Sequence, residues 1–307
     1  MADRIVVVSN QDKAGVKRKE LLQRCRRLID RTLEKLGHQL EKGYSDEMQK
    51  YLRAMAHFHT YSLNNVFLIM SQKPNATRVA GFRTWVRLGR YVRKGEKAIR
   101  IFAPVTHKRK KPDEVVEEGK QEDDAENQDR REDTVTVFRS VCVFDVSQTQ
   151  GVELPEPSKA SGAASQTLPA LEQSIRDQGI TLRYGDTGSA LGLSTKNKII
   201  IRPGMTQAET FATLAHEYAH ALLHHGPDEK GKAKTIKELE ADAVACIVSE
   251  HFGISSVQAS ADYIKMWDGN KDKLFTRLER IRDCASTIIE AVEKHYPPEP
   301  GKDRKSC

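Results

Sequence analysis

One segment constrains this chain more than any other. Between residues 206 and 225 a helix start signal is followed by two histidines four residues apart. Thr206 with Glu209 three positions later has the spacing of a capping box, which sets a helix start just ahead of AETFATLAHEYAHALLHH. At about 100° per residue, His216 and His220 project within about 40° of each other, so both imidazoles can reach one cation. Phe211, Leu214, Tyr218 and Leu222 fall on the opposite side and are expected to face the core, Tyr218 as packing only. A helix held by that core face alone has no need of the histidine stripe.

A histidine pair at this spacing also occurs as plain surface or core decoration, so more is needed. A hydrolytic zinc site requires three protein ligands and one open position for water, with the third ligand drawn from a neighbouring element. Eighteen residues after His220 the chain reads Glu238-Leu-Glu-Ala-Asp242, on a predicted helix. Glu238, Asp242 and Ala245 share one stripe of it, whereas Glu240 points roughly 160° away, so Glu238 is the expected ligand. Asp242, one turn on, is placed to accept the free N–H of a ligand histidine and fix its tautomer. Ala241 and Ala245 allow the two helices to approach closely. His224, one turn beyond His220, is the rival third ligand, or shapes the cleft mouth with His225. Glu217 lies about 60–100° round the helix from the histidines, the place of a general base that does not capture the metal. These residues predict a metallopeptidase holding Zn²⁺, with Mn²⁺, Co²⁺ or Fe²⁺ compatible with the same donors.

HEYAHALLHH followed by ELEAD resembles the zincin-like metallopeptidases, and among them the C-terminal domain of ArdC-type antirestriction proteins and their ImmA/IrrE-like relatives. In that pattern the first Glu of the second motif is the ligand, which agrees with Glu238. The resemblance runs from about residue 168 to the end of the chain.

At 307 residues the length predicts two domains. No apolar run approaches the roughly 20 residues of a membrane span, and the start has too short an apolar core for a secretion signal, so no membrane partner and a cytoplasmic location are expected. Five cysteines without a CxxC pair fit a reduced chain and suggest no chemistry. The net charge of +7 permits a nucleic-acid partner, and its distribution is more telling than its sum. From Lys73 to Lys111 there are thirteen basic residues against Glu96 alone. Residues 112–133 reverse this with eleven acids and three bases, too few apolar groups to offset ordering entropy, and are expected to be a mobile loop. Apolar residues at three- and four-residue spacings predict helices at 17–41 and 45–59. Strands are predicted at 99–105 and 134–146, joined by the acidic loop within one sheet. The Pro/Ser/Gly/Ala composition of 153–166 reads as a linker. Beyond it the patterns predict a helix at 168–178, a strand at 181–184, a strand pair at 190–194 and 198–202, helices at 236–252, 256–267 and 271–295, and a loose tail at 299–307.

The basic stretch is interleaved with aromatic residues. Trp85, Phe82, Tyr91 and Phe102 sit among Arg83, Arg87, Arg90, Arg93, Lys94 and Lys97, the combination of phosphate-binding charge and stacking platforms used on single strands. The alternative for each ring is a place in the core, and Tyr61, Asn64 and Asn65 serve equally well as caps or contacts. Gly89 and Gly95 mark turns, with Lys94-Gly-Glu96 as a hairpin tip. No GxGxxG or P-loop is present, which argues against a nucleotide-driven motor. FHTYSLNNVFLI from Phe58, AGFRTWVRLGRYVRKGE from Ala80 and VFDVSQTQG from Val143 resemble the N-terminal domain of the same ArdC-type proteins. The resemblance implies single-stranded DNA as a partner.

The sequence therefore predicts an α+β protein of two domains. Residues 1–152 form a mixed α/β module for single-stranded DNA, and residues 167–298 a mostly helical zincin-like metallopeptidase domain with a small sheet. The implied function is protection of incoming plasmid or phage DNA from restriction, with an unidentified protein as substrate of the metal site. The alternatives are coating of the strand with a structural metal, or cleavage of a repressor.

Overall fold

The computed structural model describes residues 10–43, 46–108, 134–154, 163–226, 229, 231–254 and 263–295. The acidic stretch at 112–133 and the tail at 299–307 lie outside them. The first two apolar repeats form α1 (Asn10–Glu41) and α2 (Asp46–His57). Their stripes, Leu33, Leu36 and Leu40 on one and Met48, Leu52 and Met55 on the other, are buried. Most of the stability of such helices comes from this tertiary burial. The next helix, α3 (Leu63–Gln72), is apolar nearly all round and lies in the core, capped at its start by the Ser62 hydroxyl. Tyr61 and Asn65 are structural here. The Tyr61 hydroxyl donates to the Val79 carbonyl, and the Asn65 amide bonds both backbone groups of Phe102 at 2.8 Å.

Next come β1 (Val79–Gly81), the short α4 (Phe82–Arg87), β2 (Arg90–Val92), β3 (Ile99–Lys108), β4 (Thr134–Asp145) and β5 (Thr149–Gly151). β3 and β4 pair antiparallel from Ile99 opposite Val143 to Lys108 opposite Thr134, as their alternation predicts, and β1 adds to the other edge of β4. Gly89 and Gly95 both have positive φ. The turn at Gly95 is not the tip of a hairpin, because β2 pairs with β5 in a separate two-stranded ribbon.

In the second half, α5 (Ala163–Asp177) starts five residues before the predicted helix and takes in the end of the expected linker. A small sheet of β6 (Thr181–Tyr184), β7 (Gly192–Thr195) and β8 (Lys198–Ile201) has the order β6-β8-β7, with β7 at an edge. α6 (Gln207–Leu223) packs against it, and α7 (Lys234–His251) and α8 (Lys271–His295) pack in turn on the helices. Of the helix expected at 256–267, the described part is one 3-10 turn, Tyr263–Met266. The fold is mixed α/β, and buried apolar side chains from Cys25 in α1 to Val292 in α8 form one contiguous cluster.

A polar clasp closes the N-terminal sheet. Buried Asp145 accepts from the Thr77, Arg78 and Ser147 amides at 2.9, 3.1 and 2.9 Å, while Gln148 caps the Asp145 amide at 2.9 Å. Burial pushes the Asp145 carboxyl up, but the bonds from Ser147, Thr77 and Arg78 outweigh it and hold the group below its ordinary value of 3.8. Because the folded-state value is the lower one, this stabilisation is complete at neutral pH and is lost as pH falls below 3.8 through the folded value. Asp145→Ala is expected to lower stability by about 2–3 kcal/mol in urea denaturation at pH 7, with the difference from the parent shrinking steadily toward pH 3.

Candidate metal centre

The capping box at the start of α6 forms as its spacing predicts: the Thr206 hydroxyl accepts from the Glu209 amide, and the Glu209 carboxylate accepts from the Thr206 amide at 2.8 Å. Phe211, Leu214 and Tyr218 face the core, but Leu222, in the last turn of α6, is 39% exposed, contrary to the expectation. The opposite stripe carries His216 and His220, whose Nε2 atoms are 3.0 Å apart. α7 packs alongside, with Ala241 and Ala245 buried, and carries a Glu238 oxygen to 3.5 Å from each of those nitrogens. Three donors on a tetrahedron with bonds of about 2.0–2.1 Å are about 3.3 Å apart, so this triangle fits one ion.

The protons point the same way. Asp242 accepts from His216 Nδ1 at 2.9 Å, which leaves the Nε2 lone pair turned toward His220. His220 Nδ1 lies 2.8 Å from His224 Nδ1, and His224 Nε2 lies 3.0 Å from a Glu240 oxygen. Each hydrogen bond in this chain is made when His220 donates to His224 and His224 donates to Glu240, leaving His220 Nε2 bare. In these tautomers two lone pairs and a carboxylate oxygen converge, an arrangement that suits a cation. Burial and the neighbouring His216 ring pull the His220 pKa down to about 4, which keeps that imidazole neutral. Burial also lowers His216, but Asp242 first, then Glu217 and Glu238, outweigh it and raise the group above its ordinary value.

Glu240 therefore has a task that its helical phase concealed. Pointing away from the ligand stripe places it under the end of α6, fully buried, where it positions His224. His224 sits behind His220 and holds its ring from that side. Lys232 lies 3.2 Å from Glu240 and from Glu229, and Arg280 lies 2.8 Å from Glu229. These two cations already balance the buried carboxylates of the His224, Glu229 and Glu240 group, which has no call for a metal.

Glu217 is 8% exposed and lies against β7. A Cβ on Gly192 would come within 2.6 Å of its Cγ, so only glycine admits the carboxylate there. Burial raises the Glu217 pKa, an effect that His216 and the Ser194 hydroxyl partly offset. The cleft in front has a volume of about 650 Å³ and is lined by Leu191, just before β7, and Leu193 within it, and by Lys234 and Lys237 of α7. Gly192, Ser194, Lys232 and Arg280 carry no motif and were invisible in the sequence.

In the N-terminal half, Trp85 is fully buried and donates from Nε1 to the Phe144 carbonyl at 2.9 Å, so it offers no face to a base. This corrects the expectation of a stacking platform at Trp85; the rings that α4 and β2 do expose are Phe82 and Tyr91. Arg90 bonds Thr149 and the Val152 carbonyl, and Arg93 bonds Glu96 and the Ser147 carbonyl, so both hold the fold together. Arg83, Arg87, Lys94 and Lys97 are exposed.

Residues 19–144 match the family model described as the N-terminal domain of anti-restriction factor ArdC. The uncharacterized protein pXO2-81 of Bacillus anthracis is 27% identical over 301 residues, covering 85% of this chain, which spans about half (51%) of that relative's length. The metal-free crystal structure of antirestriction protein ArdC from plasmid R388 superposes with a TM-score of 0.50 at 19% identity, covering 87% of this chain and 98% of that one. Its Mn(II)-bound form gives a TM-score of 0.50 at 17% identity, covering 86% and 98%. At these identities the likeness is one of fold.

His224→Ala is expected to weaken Zn²⁺ binding about 10–100-fold in a chelator competition without abolishing it, because it removes the ring that holds His220 in place. His216→Ala, which removes a donor outright, should reduce binding at this centre to background.

Proposed function

We propose, starting from the ArdC N-terminal domain that residues 19–144 carry, that this chain is an antirestriction protein that holds single-stranded DNA on its basic face and hydrolyses a peptide bond at the cluster of His216, His220 and Glu238. The observation that carries the second part is the convergence of His216 Nε2, His220 Nε2 and a Glu238 oxygen, within 3.5 Å of one another, beside the buried Glu217. Zinc is the proposed ion, and the same donors accept manganese, the ion named for the R388 relative. A divalent ion in such a place acidifies water and polarises a carbonyl oxygen.

The residues of the chain supply the rest. Asp242 and His224 hold the two imidazoles with their Nε2 atoms facing inward. Glu217, made more basic by burial, takes the proton of the attacking water and passes it to the departing amine. β7 is an edge strand beside the cleft, and an extended peptide can add to it through backbone hydrogen bonds, its side chains meeting Leu191 and Leu193. Lys234 and Lys237 of α7 favour acidic side chains in that peptide.

The DNA half rests on Phe82 and Tyr91, exposed beside Arg83, Arg87, Lys94 and Lys97. Aromatic faces next to mobile cations are what sequence-tolerant binding of a single strand requires. None of the described helices is long and apolar enough to cross a membrane. The proposed setting is the cytoplasm, where plasmid or phage DNA enters as a single strand.

Glu217→Gln is expected to keep its metal, measured by elemental analysis, while hydrolysis falls about 10²–10⁴-fold and protection in a plasmid-transfer assay is lost. Full protection by this variant would leave strand coating as the function. Arg83→Ala with Arg87→Ala is expected to weaken binding to single-stranded DNA and to reduce the slope of log affinity against log salt by about 1.4, roughly 0.7 per lost phosphate contact. An unchanged slope would remove this face from the binding surface.

A further inference from the structure

Three donor groups meet at the opposite end of α7. His59 follows α2, His251 ends α7, and Glu293 lies in the last turns of α8; one ligand atom from each falls within 4.8 Å of the others. We propose that they form a second divalent transition-metal site, which fastens the N-terminal segment to the C-terminal helices.

His251 is the best-defined of the three donors. Its Nδ1 is 3.0 Å from the Ala56 carbonyl, which can only accept, so this nitrogen carries a proton. In the neutral ring Nε2 is then a lone pair, and it faces a Glu293 oxygen at 3.1 Å. A lone pair and a carboxylate cannot remain at that distance without a positive charge between or beside them. Beside them lies the His59 ring, 4.5 Å from the His251 ring centre to centre. His59 Nδ1 is buried near the Ala56 carbonyl without a well-formed hydrogen bond. A proton shared by His251 and Glu293 leaves the His59 ring out of the cluster, whereas a metal ion employs all three groups.

The surroundings are built to hold them. The Ser286 hydroxyl of α8 donates to the His59 carbonyl at 3.0 Å and also contacts Glu290 at 3.2 Å. Arg282 donates to the Tyr61 carbonyl at 3.2 Å. These bonds bring the segment bearing His59 against α8, where an ion would add a further tie. Two imidazoles and a carboxylate suit Zn²⁺, Co²⁺ or Ni²⁺ in preference to Ca²⁺ or Mg²⁺. Glu238 and His251 are thirteen residues apart in α7, about 20 Å along its axis, so this site is separate from the first.

The test uses the full chain, stripped of metal, dialysed against ZnCl₂ and assayed for bound zinc by elemental analysis. The parent is expected to hold two ions, His216→Ala/His220→Ala one, His59→Ala/His251→Ala one, and the fourfold variant none. Zinc at a hundredfold excess over its Kd should raise the melting temperature of His216→Ala/His220→Ala by about 4 °C, and the conservative addition of Glu293→Gln should remove most of that shift. The proposal is overturned if folded His216→Ala/His220→Ala holds no zinc, or if the zinc it holds survives His59→Ala/His251→Ala. If the parent holds one ion and loses it only with His59 and His251, this site stands and the reading of the first centre fails.

Discussion

The candidate centre depends on how closely α7 can lie against α6. Ala241 and Ala245 are buried side chains of minimal bulk, and they let the two helices close until Glu238 stands 3.5 Å from both imidazoles. A larger residue at 241 or 245 moves the carboxylate outward by an ångström or more. At that separation bonds of about 2.0–2.1 Å no longer reach all three donors. Packing of small apolar residues thus sets a chemical distance.

The same helix carries a buried charge whose desolvation has to be offset. Glu240 is fully buried, and burial acts to raise its pKa; the His224 bond, then Lys232 and Arg280, outweigh this and keep it ionised. A buried carboxylate stripped of those partners is strongly destabilising, so the network is held together as a unit. Its reward is positional: the carboxylate orients His224, and His224 orients a donor of the centre.

Much of this was legible because helical phase is local. The 3.6-residue period placed His216, His220, Glu238 and Asp242 on facing stripes, and the structure brings all four together. Alternation likewise announced β3 and β4. The rest depends on tertiary neighbours. Nothing in the sequence distinguishes the Glu240 that reaches under α6 from a solvated glutamate. Trp85 and Phe82 lie three residues apart in the same basic stretch, yet one is sealed in the core and the other is open to solvent. α3 carries no amphipathic stripe because every side of it is covered, and β2 pairs with a strand more than fifty residues away. Gly192 matters only because a carboxylate from α6 occupies the space a methyl group would take.

The unequal restraint of the three donors shapes how an ion comes and goes. Both imidazoles are clamped from behind and mostly buried, whereas the Glu238 side chain is 44% exposed at the rim. Rotational freedom is already spent on the rings, so capturing a cation has to quench the motion of one side chain alone. Exchange with solvent is thereby confined to a single swinging arm, and the seat it leaves behind keeps its shape between occupants.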